Sequence, residues 1–267
     1  MSDNINELDR IFDEYYPEQI NLKSFEEKDG LCPRIWDGEG RLKRLIRIRL
    51  WQIAMDFISN IDDMDIPVED VVIVGSIAGY NWSKYSDIDL HIMVDFSVLS
   101  DYAGPVVLKQ NFDAKKNAWN EKHEILIYGY PVELYDQDVN DTNGTDGMYS
   151  VKYGRWLKIP KGGNELWDRT LIRTQSAQYL NQIDRFAVMA QECRSKTAAR
   201  MILKEVEKVY DEIVKNRRYA IAADGEFAPM NIVFKVMRRT GAIQKMKDTK
   251  TLLYDKIRTL YRPAGQA

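Results

Sequence analysis

The spacing of apolar residues divides the chain into stretches of different period. Leu42, Leu45, Ile46, Leu50, Ile53, Ala54, Phe57 and Ile58 recur at three- and four-residue steps, which predicts an amphipathic helix of about five turns. Residues 71–74 then form a short apolar run suited to a buried strand, admitted by Pro67 and punctuated by Gly75-Ser76. Apolar alternation resumes at Asp87-Ile88-Asp89-Leu90. In a strand successive side chains take opposite faces, so Asp87 and Asp89 project together while Ile88 and Leu90 project the other way.

Residues 95–104 read as a turn, and 106–121 as a helix offering Val107, Phe112, Ala118 and Trp119 to the core. Residues 124–128 and 132–135 flank Gly129-Tyr130-Pro131 and predict a hairpin whose second strand sets Val132 and Leu134 on one face and Glu133 on the other. Residues 136–147, rich in Asp, Asn, Thr and Gly, predict a loop, and 148–159 a last strand. Upstream, 5–16 predicts a short helix. Beyond Pro160 helical periods dominate, over 166–192, 198–213, 229–239 and 243–261, with Pro229 in a first turn and Gly241 ending a helix. The expected fold class is α+β, a sheet with flanking helices followed by a C-terminal helical bundle. The expected segments are 1–65, an N-terminal helical extension; 66–160, a sheet-bearing core; and 161–267, a helical domain.

Composition narrows the class. With 45% apolar and 11% aromatic residues, 267 residues are ample for a globular core. No run of eighteen apolar residues exists, and the opening MSDNINELDR is acidic where a secretory leader is basic and then apolar, so a cytoplasmic location without a membrane is expected. Cys32 and Cys193 lie far apart and are expected to be buried, inert thiols; two histidines leave no zinc constellation and little scope for serine or cysteine nucleophile chemistry.

Charge is unevenly placed. Residues 1–160 hold 17 Lys+Arg and 29 Asp+Glu, and residues 161–267 hold 21 and 12, so a formal net charge of −3 divides into −12 and +9. The basic part suits a polyanion or triphosphate, or electrostatic pairing with the acidic part. The run Arg41, Lys43, Arg44, Arg47 and Arg49 suits a solvated helix face or a nucleic-acid contact.

Two carboxylates side by side on a strand that otherwise favours burial cost stability unless a divalent cation neutralises them, so Asp87 and Asp89 read as a Mg²⁺ site. Gly75-Ser76, ten intervening residues and then Asp87-x-Asp89, set between two strand-like runs, resemble the signature of the DNA polymerase β-like nucleotidyltransferases. The fuller wording GS-x-x-GYNW-x-x-YSDIDLHI with GYPVELY after it also looks like nucleotidyltransferase-like proteins encoded by tailed phages. The resemblance covers roughly residues 66–160.

That resemblance implies a nucleotidyltransferase core, a mixed sheet with flanking helices, for the sheet region and an enzyme that moves a nucleoside monophosphate from an NTP onto an acceptor hydroxyl, releasing pyrophosphate. It implies two Mg²⁺ ions, roughly 3.5–4 Å apart, with Mn²⁺ as a substitute. Asp87 and Asp89 would bridge them, and Glu133 would supply the third carboxylate that the family places on a later strand, with Asp136 and Asp138 as weaker substitutes. Gly75 and Ser76 would position phosphates at a helix start. Lys84 would reach a phosphate or be a surface lysine; Ser86 would support the aspartate strand. Tyr80, Trp82 and Tyr85 would stack on a base or pack in the protein, and His91 would be a partner of the aspartates or structural. The +9 part favours RNA or another nucleic-acid 3′ end as acceptor, with small-molecule and protein acceptors also open. An inactive nucleotide-, nucleic-acid- or protein-binding module is the alternative. No GxxxxGK[ST], GxGxxG after a strand, GxSxG or HExxH motif competes.

Overall fold

The structure, a computed structural model, describes residues 14–61, 66–98, 104–141, 145–163 and 167–259. It divides into two compact units, one spanning Lys23–Glu165 and the other joining Met1–Leu22 to Leu166–Ala267. Residues 23–61 thus belong with the sheet.

The first unit is built on strands β1 (Val68–Val74), β2 (Ile88–Val94), β3 (Leu126–Ile127), β4 (Tyr130–Asp138), β5 (Met148–Ser150) and β6 (Arg155–Lys158), with helices α1 (Arg44–Ser59) and α2 (Pro105–Lys122). The sheet order is β3-β4-β2-β1-β5-β6. β2 and β4 run parallel and the other neighbours antiparallel, so the sheet is mixed. A parallel pair needs a long crossover, and α2 lies within it.

Each strand follows from its side chains. Val71 to Val74 are all buried because β1 is an interior strand, and β2 alternates, burying Ile88, Leu90, Ile92 and Val94 while Asp89, His91 and Met93 are half-buried. α1 buries Ile46, Leu50, Ile53, Ala54 and Phe57 in the same core as the sheet. Leu45, expected on that stripe, is 74% exposed. It falls among the arginines, outside the arc of the helix that meets the sheet. Val107 and Ala118, expected in the core, are likewise exposed, whereas Phe112 is buried as expected together with Leu108, and Trp119 packs half-buried against the same core.

The hairpin turns one step earlier than its Gly-Tyr-Pro suggests. Ile127 pairs with Tyr130 and Leu126 with Pro131, leaving Tyr128 and Gly129 as a two-residue loop with φ 50° and 88°. Positive φ at both positions is the turn that matches strand twist, and Pro131 is tolerated inside β4 because the donor toward the β3 side is its neighbour Val132, whose N–H reaches Ile125 O at 2.9 Å. β4 runs on through Asp136 and Asp138, which were expected in a loop. Beyond β3 its outer edge is covered by α2: Asn120 Nδ2 donates to Leu134 O (3.0 Å) and Leu134 N donates to Asn120 Oδ1 (3.1 Å). One side-chain amide thereby replaces a neighbouring strand. The single strand expected over 148–159 is two short ones, because 151–154 turn with Gly154 at φ 67°.

The second unit contains α3 (Arg169–Glu192), α4 (Lys196–Asp224), α5 (Pro229–Arg239) and α6 (Ala242–Arg258). Asp168 and Ser195 cap α3 and α4, accepting from Leu171 N and Ala198 N. Pro229 opens α5, and Gly241, at φ 78°, follows its end in the left-handed region. Tyr15 and Asn181 exchange two hydrogen bonds, of 2.7 and 3.0 Å. The short helix expected over 5–16 lies outside the described residues except for its last three, which are not helical. Cys32 is buried as expected, whereas Cys193 is only half-buried, standing just past the end of α3. Among the described residues no helix is long and apolar enough to cross a membrane.

Candidate metal centre

Three strands meet where the sheet's interior run ends. Val74, the last residue of β1, pairs with Asp89 of β2, and Asp89 pairs across the parallel ladder with Glu133 of β4. Parallel register sets directly paired residues on the same face. Asp87, two residues before Asp89, shares that face. One carboxylate oxygen from each of Asp87, Asp89 and Glu133 therefore lies within 4.8 Å of the others. All three are half-buried, and among the described residues they are the one cluster of three or more acids, histidines or cysteines that meets at this spacing.

Gly75 makes the arrangement possible. It follows β1 at φ 73°, and a Cβ built on it would overlap Asp89 Oδ2 and lie 3.2 Å from Asp89 Cγ. Only glycine suits both the backbone angle and the occupied space. Ser76 begins a single 3₁₀ turn, Ser76–Ala78, so the helix start expected here is one turn long and offers no helix dipole. The turn is held from outside: Trp36 Nε1 donates to Ile77 O (2.8 Å), and Gly147 packs so closely on Ala78 O that a Cβ there would overlap it. Neither contact is legible in sequence, because both join distant segments.

Ser86 reaches the same turn. Its Oγ accepts from Ser83 N (2.9 Å) and lies 2.8 Å from Ser76 Oγ. The two serines on either side of the ten-residue gap are thus hydrogen-bonded to each other. Lys84 is exposed, with its ammonium 4.9 Å from the centroid of the exposed Tyr85 ring. Trp82 packs against the core and donates Nε1 to Gly30 O (2.8 Å), while Tyr80 O accepts from Lys28 N (2.7 Å).

A residue not anticipated from sequence completes the face. Tyr135, two along from Glu133, donates its hydroxyl to Glu133 Oε2 (2.8 Å). Burial, that hydrogen bond and the charges of Asp89, Glu133 and Asp87 all push the phenol's pKa far up, so it stays a donor. The period-two alternation that puts Glu133 on this face puts Tyr135 there as well, and that is the signal that would have found it. The Tyr135 ring stacks on His91 at 4.9 Å. His91 lies 2.7 Å from Gln137 Oε1 through Nδ1; Gln137 spends its Nε2 on Asp141 O (2.9 Å), so His91 Nδ1 is the donor. Burial lowers the His91 pKa, outweighing the opposing effect of the Gln137 bond, and nearby Lys116 lowers it further.

Asp136 and Asp138 do not join the cluster. By alternation both face away from Glu133; Asp136 responds to Asp113, Lys116 and Lys109 of α2, and Asp138 accepts from Asn140. Comparison with protein-family models, curated proteins and solved structures finds no match. A functional reading of this chain therefore rests on its residues and their geometry.

Proposed function

We propose that this chain is a Mg²⁺-dependent nucleotidyltransferase that transfers a nucleoside monophosphate from an NTP to an acceptor hydroxyl, with RNA or another nucleic-acid 3′ end as the preferred acceptor. The observation that carries this reading is the convergence of Asp87, Asp89 and Glu133 beside the Gly75-Ser76 turn. Three carboxylates and no nitrogen or sulfur donor form a hard-oxygen set, which fits Mg²⁺ or Mn²⁺. Bound there, divalent cations supply neutralisation of triphosphate charge and a lowered pKa for the attacking hydroxyl.

The chain's own residues divide the remaining work. Asp87 and Asp89 hold cation from the start of β2, and Glu133 completes the set from β4. Gly75 lets backbone and Asp89 share one small space, keeping the carboxylate beside the turn. With Ser86 Oγ accepting from Ser83 N, the Ser86 proton is available to Ser76, and the Ser76 hydroxyl is then free to donate to a terminal phosphate oxygen. Exposed Lys84 stands in the loop leading to the aspartates, where an ammonium attracts triphosphate. The excess of 21 Lys+Arg over 12 Asp+Glu in residues 161–267 supports a polyanionic acceptor.

Incubation with each NTP labelled in its α-phosphate, Mg²⁺ or Mn²⁺ and mixed RNA tests the proposal. Label passes to RNA with the wild type, and Asp89→Ala reduces transfer to background. Nucleotide binding without transfer under every condition would replace the enzyme with a binding module of the same architecture.

A further inference from the structure

Glu133 is held differently from a carboxylate that simply faces a cavity. Its Oε2 accepts from the Tyr135 hydroxyl at 2.8 Å, and that hydroxyl belongs to a ring fixed on its own account. The ring stacks on His91, and His91 is anchored through Gln137 to the backbone carbonyl of Asp141. The Lys116 ammonium lies 5.3 Å from the Tyr135 ring centroid and is itself paired with Asp113 at 3.0 Å. Three side chains, His91, Gln137 and Lys116, thus hold the ring that carries this phenolic oxygen.

We propose that Tyr135 is a positioning residue for cation selectivity: by engaging Oε2 it makes Glu133 present a single oxygen, Oε1, to a cation shared with Asp87 and Asp89, and so favours Mg²⁺ over Ca²⁺. This rests on the cluster being the cation centre proposed above. The physical reason lies in the two ions. Mg²⁺ requires near-octahedral oxygens at about 2.0–2.1 Å and keeps several waters, so single-oxygen carboxylates suit it; Ca²⁺ takes about 6–8 oxygens at about 2.3–2.6 Å and gains from a carboxylate that gives both. A hydrogen bond that reserves one oxygen of Glu133 withholds that gain. It also fixes the carboxylate's orientation, the kind of outer partnership whose loss typically costs about 10–100-fold in metal affinity.

Calorimetric titration of the full chain with MgCl₂, MnCl₂ and CaCl₂, for the wild type, Tyr135→Phe and Glu133→Gln, tests it. Phenylalanine keeps the ring on His91 and removes only the hydroxyl, and circular dichroism checks that the fold is retained. The expected result is Mg²⁺ affinity about 10–100-fold weaker in Tyr135→Phe, with Ca²⁺ affinity lowered less or raised, so that the Mg²⁺/Ca²⁺ ratio falls. A wild-type ratio in Tyr135→Phe, or a parallel fall for both ions, overturns the role of Tyr135 while leaving the cation centre intact if Glu133→Gln still weakens binding. Absence of binding by the wild type for all three ions overturns the centre itself and this inference with it.

Discussion

Asp89 fills the space that a side chain at Gly75 would need. The glycine stands at φ 73° and its missing Cβ would overlap Asp89 Oδ2, so strand end and carboxylate are fitted to each other. Gly75→Ala is expected to displace the Asp89 carboxylate from Asp87 and Glu133, and to destabilise the protein by about 1–3 kcal/mol through strain and overlap. Urea unfolding reads the second effect and Mn²⁺ titration the first. Wild-type Mn²⁺ affinity in the variant would show that Asp89 does not depend on this gap.

Asn120 does for β4 what another strand would do. Its amide makes both hydrogen bonds with the Leu134 backbone, directly beside Glu133. Asn120→Ala is expected to cost about 1–3 kcal/mol, since two backbone groups lose their partners, and to increase self-association through the opened edge. Chemical denaturation and light scattering check the two outcomes. Unchanged stability would mean that water replaces the amide at no cost.

Asp136 is a source of instability at neutral pH. Both its carboxylate oxygens are buried with no hydrogen-bond partner among the described residues beyond its own backbone N–H, and burial, then the charge of Asp113, raise its pKa above the ordinary 3.8 against the opposing pull of Lys116 and Lys109. A carboxyl whose folded pKa is raised binds its proton more tightly in the folded state. Its contribution is therefore most favourable below pH 3.8 and is lost as pH rises through the higher folded value. Asp136→Asn is expected to raise Tm at pH 7 by roughly 2–4 °C, with the advantage shrinking toward pH 3.5. Thermal scans at the two pH values decide it; an equal difference at both would remove ionisation as the cause.

Lys256 closes the end of α3. Its ammonium donates to Ala190 O and Gln191 O at 2.8 Å each, carbonyls of the last turn that have no partner within the helix, and to Cys193 O just past its end at 3.2 Å. Cation and helix dipole also attract there. Lys256→Met, which keeps the aliphatic stem, is expected to destabilise the helical unit by about 1 kcal/mol, read by urea denaturation. No change would mean that the carbonyls are equally well served by solvent.

Much of the centre is legible in the chain because strand alternation is rigid. Period-two alternation puts Asp87 and Asp89 on one face and turns Glu133 away from Val132 and Leu134, the resemblance implies Glu133 as the third acid, and the parallel register of β2 and β4, which no local pattern encodes, pairs Asp89 with Glu133 directly. The helices after Pro160 lie where their apolar periods place them, although α4 runs on to Asp224, well past the expected 213, and Gly241, at positive φ, separates α5 from α6. What the chain conceals is tertiary. The apolar period of α1 includes Leu45, and only packing decides that the stripe narrows to exclude it. The hairpin turns at Tyr128-Gly129 because strand pairing favours positive φ at both positions, which overrides the Gly-Tyr-Pro signal. Trp36, Gly147 and Asn120 act across long separations that no local pattern encodes.

Anomalous diffraction from crystals soaked in Mn²⁺ tests the shared metal role of the three acids most directly. A manganese peak within coordination distance of Asp87, Asp89 and Glu133 together is predicted. A peak elsewhere in the protein, or a Glu133 carboxylate turned away from the other two with no metal between them, would contradict it.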